Sequence, residues 1–165
     1  MELDLGSVLI GVLVIAIACL PFILMHRNKV QIDKKLSNLL TTYAAEHSCQ
    51  IDQYDTLHHF AIGIDQTKQK IFFYKEQNEN IVKQMIDLNE IKKARLLKTT
   101  SKPNKKSGER VERIGLTFEA LQKNQNAIVL EFFNYDESPQ VYGELQAAQK
   151  WSAEIQQNLA LKKSA

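Results

Sequence analysis

The side chains best suited to holding a metal or doing chemistry are His47, Cys49, His58 and His59, which lie close together in the sequence. Their spacing is irregular and matches no zinc framework, in which paired ligands recur at short fixed intervals. Neighbouring residues on a strand point to opposite faces, so His58 and His59 would not both reach one ion from a strand. Ordinary polar positions are the expected role of all four, and no metal is expected. The carboxylates Asp55, Asp65 and Asp87 fall at expected turns or strand ends, where such side chains accept from nearby backbone N–H groups. The sequence contains no glycine-rich phosphate loop, paired-cysteine motif, metalloprotease helix motif or nucleophile elbow. It therefore offers no catalytic residue, no cofactor-binding residue and no cofactor, and a non-enzymatic role is expected.

The remaining chemistry is electrostatic. The whole chain has 21 Lys and Arg against 19 Asp and Glu, a formal charge of +2. Between Lys92 and Arg113 the balance is different. There Lys92, Lys93, Arg95, Lys98, Lys102, Lys105, Lys106, Arg110 and Arg113 are opposed by Glu109 and Glu112. One reading is a solvated loop and edge strand whose lysines prevent pairing with other strands. The other makes Lys98, Lys102, Lys105, Lys106 and Arg110 a contact for anionic lipid headgroups, at about 1 kcal/mol per cation near a charged leaflet. Nucleic acid is not an expected partner, because no strand interleaves aromatic and basic side chains. Phe72, Phe73, Phe118, Phe132 and Phe133 fall at strand positions where core packing is expected.

What positions these groups begins with the first apolar stretch. From Leu5 to Met25 no side chain is charged, and a helix rising about 1.5 Å per residue over that length would cross a hydrocarbon core of roughly 30 Å. A transmembrane span from Leu5 to Met25 is expected. Its acidic opening, Glu2 and Asp4, argues against a cleaved signal peptide. "AIAC" ending at Cys19 partly fits a lipoprotein box, the alternative to a retained span, but the apolar run "LPFILM" follows it, so Cys19 is read as a small membrane residue. Arg27, Lys29, Lys34 and Lys35 lie just beyond the span, so the expected placement is the inner cell membrane, single-pass, with the amino terminus outside and the bulk of the chain cytoplasmic. The bilayer would then be a partner. Two cysteines in the whole chain exclude a disulfide framework and fit a reducing compartment.

Periodicity organises the rest. Ile32, Leu36, Leu39, Leu40 and Tyr43 recur at helical spacing. Phe60, Ile62 and Ile64 alternate with Ala61, Gly63 and Asp65, and the turn "DQTKQ" leads into Ile71 to Tyr74, so a hairpin is expected. The segments "NIVKQMIDL", "KARLLKTT", "ERIGLTFEAL" and "AIVLEFFNY" are further strands, with "SKPNKKSGE" a loop. Ser138 and Pro139 suggest a helix start, followed by the stripe Val141, Leu145, Ala148, Ile155 and Leu159, which Trp151 extends. The expected domains are 1–30, a transmembrane anchor with a basic cytoplasmic flank; 31–50, an amphipathic connecting helix; and 51–165, a cytoplasmic domain to which the resemblance below applies.

The order of these segments carries a resemblance. "AIGIDQTKQKIFFYK", then "VKQMIDLNEIKKARLLK", then a strand pair and a terminal helix, resembles the bacterial pleckstrin-homology-like (PH-like) families over roughly residues 58 to 160. The resemblance implies an α+β fold: an antiparallel curved sheet or partial barrel of about six to seven strands, capped by a C-terminal helix and preceded by the single transmembrane helix. It implies an interaction or scaffold domain with a protein partner, and it carries no catalytic residue over. The rival expectations are a small membrane-tethered enzyme with an unrecognised site and a peripheral module binding anionic lipid.

Overall fold

The computed structural model describes residues 5–77, 80–102, 108–122 and 125–164, with the side chains of 5–12, 21–26 and 163–164 outside the description. The chain divides into two units, Met1–Lys35 and Leu36–Ala165. Helix α1 spans Leu5–Glu46. Among the described residues, no helix is long and apolar enough to cross a membrane. The expected span from Leu5 to Met25 falls partly on side chains outside the description. The lack of such a helix among the described residues overturns the transmembrane element of the expected fold and the single-pass inner-membrane placement derived from it.

The second unit is α+β, with two antiparallel sheets and a C-terminal helix. Strands β1 (Gln53–Leu57), β2 (Phe60–Asp65), β3 (Lys70–Gln77) and β4 (Asn80–Asp87) form one sheet in that order. A 3-10 turn, Leu88–Glu90, is capped by Asp87, whose carboxylate accepts from Asn89 N at 2.8 Å. It leads into β5 (Ile91–Ser101), β6 (Arg110–Ala120) and β7 (Ile128–Asn134), which form the second sheet. Helix α2 follows at Glu144–Ser164. The expected single curved sheet is thus two sheets, because the turn after β4 ends one ladder before β5 starts the next.

Every residue of β2 is buried, as are Ile71 to Lys75 of β3. Both faces of this hairpin are covered. On one face Phe60, Ile62, Ile64, Ile71 and Phe73 join a core with the second sheet and with Ala148, Trp151, Ile155 and Leu159 of α2. On the other, Ala61, Phe72 and Tyr74 pack with Leu36, Leu40 and Ala44 of α1 and with Cys49. Between them Gly63 makes the close approach possible: a methyl group there would lie 2.8 Å from Ile51 Cγ2 and 3.0 Å from Leu40 Cδ2.

Helix α2 starts later than Ser138 and Pro139 suggest. Residues 138–143 are irregular and bent, Gly143 takes φ +113°, and the buried carboxylate of Glu144 accepts from Tyr142 N at 2.5 Å. An acid in the first turn, reaching back to a backbone N–H just before the helix and lying beside its positive end, sets the start instead of the Ser–Pro pair. Val141 consequently lies outside α2 and is exposed. Strand β1, short and mostly polar, carries Asp55. Its carboxylate accepts from Trp151 Nε1 at 2.8 Å and from Lys150 Nζ at 2.6 Å, tying α2 to the first sheet.

Candidate functional site

A cleft of ≈ 540 Å³ opens between the two sheets. Phe73, Lys75 and Gln77 reach it from β3, Asn80, Val82 and Gln84 from β4, and Leu97 and Thr99 from β5. These residues are spaced by two, so each strand presents one of its faces. Arg113 of β6, Val129 and Glu131 of β7, and Glu137 from the connection to α2 complete the lining. The floor is aromatic: Phe73 stacks on Phe132 at 5.5 Å between centroids, and Phe60 lies 4.6 Å from Phe132.

Above that floor lies an ion-pair chain. The Lys75 side chain is only 6% exposed, and its Nζ donates to Glu137 Oε2 at 2.7 Å and lies 3.9 Å from Glu131 Oε1. Glu131 is also approached by Arg113 Nε at 3.8 Å and accepts from Asn134 Nδ2 at 3.1 Å. A buried ammonium is tolerated because these carboxylates supply its counter-charge and hydrogen bond. The two cations and two carboxylates balance. Gln77 Oε1, in the same wall, is buried with no hydrogen-bond partner among the described residues.

The chain matches no protein-family model, no curated protein and no solved structure. Lys75 escaped the sequence reading because "YKEQ" reads as a polar strand end. Its alternation with Phe73 across from Ile62 and Phe60 was the available signal.

The basic residues singled out in the sequence are arranged differently. Lys98 is exposed on β5, and Lys102 is exposed just past its end. Lys105 and Lys106 lie outside the described residues. Arg110 opens β6 opposite Ser101, and its guanidinium stacks over the Tyr135 ring at 4.0 Å with Glu112 at 3.8 Å. It is spent largely on intramolecular contacts. Lys92, Lys93 and Arg95 are exposed along β5, with Arg95 paired to Glu119 at 3.1 Å. Beside them a second groove of ≈ 320 Å³ runs between β5 and α2, lined by Ala94, Gln156, Leu159 and Ala160 as well as Lys92 and Lys93.

The histidines and Cys49 have local duties. Cys49 Sγ donates to His47 O at 3.4 Å, and the His47 ring packs edge-on against Tyr43. His58 packs against Tyr142, while His59 Nε2 lies 3.1 Å from Phe132 O. Burial pushes the His59 imidazole below its usual range, and the nearby Lys75 charge pushes the same way. Among the described residues no three His, Cys, Asp or Glu side chains gather as metal ligands would. Asp65 is 3% exposed. Burial drives its carboxyl upward, but Lys68 N and Gln50 N donate to the ionised form at 2.8 and 2.9 Å and bring it below the ordinary value.

Proposed function

We propose that the unit Leu36–Ala165 is a non-catalytic interaction module of PH-like kind, and that its partner is an acidic protein segment. The observation that carries this is the basic edge of β5: Lys92, Lys93, Arg95 and Lys98 are exposed on a terminal strand beside an open groove against α2. A terminal strand presents backbone groups to a partner, although Ala94 O already accepts from Gln156 Nε2 at 3.1 Å, and flanking cations select an extended segment of opposite charge. Four strands, then three strands, then a helix support the resemblance. In the cleft, each cation is matched by a carboxylate, an arrangement suited to holding rather than to proton transfer.

The test uses the full chain. A peptide alternating Glu and Val is titrated against it, with an alternating Lys and Val peptide as control, and vesicles containing anionic lipid are tested in parallel. Binding of the Glu peptide should fall by about tenfold or more when Lys92, Lys93 and Lys98 are changed to Ser, and should weaken at high salt. Binding to the vesicles but not to the peptide, lost when Lys98, Lys102, Lys105, Lys106 and Arg110 are changed to Ser, would replace this reading with the lipid one.

A further inference from the structure

The cleft between the sheets is separate from the β5 edge, and its lining has a different character. Lys75 is held in it by two carboxylates of unequal standing. Glu131 belongs to β7 and has Arg113 and Asn134 as further partners. Glu137 comes from the connection between β7 and α2, its side chain is 36% exposed, and its carboxylate bonds to Lys75. The buried member of this pair is the cation, and it is fixed on a strand paired on both sides. A buried ammonium must keep an anion beside it. Exchange of one anion for another preserves that condition, whereas exchange of the cation would require β3 to move. Around the pair, Val82 is 41% and Val129 40% exposed, so apolar wall faces water in a concave space of ligand size.

We propose that this cleft binds a small organic carboxylate with an apolar body, and that Glu137 is the tethered carboxylate it displaces from Lys75. The ligand's head takes the place of Glu137 on the ammonium, and its body covers Val82, Leu97 and Val129 above Phe73. Glu137 then swings outward with the connection that carries it. Because Glu137 is joined to the site by the chain, its effective concentration is high and a free carboxylate competes with it at a disadvantage. The device sets a threshold: the cleft fills only when the carboxylate is abundant or when a partner draws Glu137 away.

Octanoate is the probe, and 1-octanol, of similar apolar length without the charge, is the control. Each is titrated into the full chain and into the Glu137→Ala and Lys75→Met variants, with affinity read by calorimetry and position read from amide shifts of β3, β4 and β7. Octanoate should bind Glu137→Ala about tenfold more tightly than the parent chain, while octanol gains nothing, and Lys75→Met should abolish the preference for the charged probe. Equal octanoate affinity in the parent chain and in Glu137→Ala would overturn the proposal. If Lys75→Met fails to fold, as its circular dichroism would reveal, the comparison of octanoate with octanol in Glu137→Ala decides alone. Failure here leaves the β5 reading intact, since the peptide titration reports on different residues.

Discussion

The two faces of the β2–β3 hairpin are both buried, yet they are built in different ways. The inner face uses size: Phe60, Ile62, Ile64, Ile71 and Phe73 meet Trp151, Phe118 and Phe132 across a wide core. The outer face uses closeness: Ala61 and Gly63 alternate with larger residues so that Leu36, Leu40 and Ala44 of α1 can settle on the sheet. A wide core gains stability in proportion to apolar area and tolerates some repacking. A close approach rests on one steric condition and fails when it is broken. The inner face also opens at one end into the cleft, where the same period-two pattern that supplies Phe73 supplies Lys75 and Gln77. The cleft thus grows out of the face that is filled by area, at the point where apolar side chains give way to polar ones.

The largest expected effect is on the inner face. Trp151→Ala removes a fully buried side chain and leaves the Asp55 carboxylate with Lys150. It should cost about 3–5 kcal/mol, read as a lowered urea midpoint. A loss below 1 kcal/mol would mean that α2 is not integral to this core. On the outer face, Gly63→Ala adds one methyl group against Ile51 and Leu40 and should cost about 1–3 kcal/mol. In the double variant with Leu40→Ala the total loss should be less than the sum of the two separate losses, because the second change removes one of the atoms in the way. Additive losses would show that Leu40 is not the obstacle.

The smallest effect separates titration from packing. His59 has a depressed pKa in the folded chain, so the unfolded chain binds its proton first. Stability from this group is complete above the unfolded value of about 6.5 and is lost as pH falls through the folded value. His59→Gln keeps a polar group near Phe132 O and should flatten the fall in denaturant midpoint between about pH 7 and pH 5. Lys75, Glu144 and His58 also act on this ring, so the difference between parent and variant is the quantity to compare. Asp65 has the same sign in a lower window, since its carboxyl is also depressed. An unchanged pH slope in His59→Gln would assign the loss to other groups.

The sequence alone determined the local elements wherever a period was strong. Leu36 and Leu40 recur at helical spacing, Phe60 to Ile64 alternate, and Ala148, Trp151, Ile155 and Leu159 form a stripe, and the chain is helix, strand and helix at those places. These patterns are legible because one covered face imposes its repeat on the residues that meet it. Where no repeat is imposed, the sequence was silent or misleading. Strand β1 is five mostly polar residues, visible only through its pairing with β2 and through Asp55 reaching Trp151 and Lys150. The start of α2 moved from Ser138 to Glu144 because a carboxylate that bonds backward competes with a hydroxyl that lies in an irregular segment. The expected span from Leu5 to Met25 rested on hydropathy along the chain, and the described residues contain no helix that meets its length and apolar character. The cleft was decided entirely by tertiary structure. Lys75 and Glu137 are separated by 62 positions, and no local pattern relates a strand lysine to a loop glutamate. They meet only because the second sheet and the connection to α2 fold over the open end of the first.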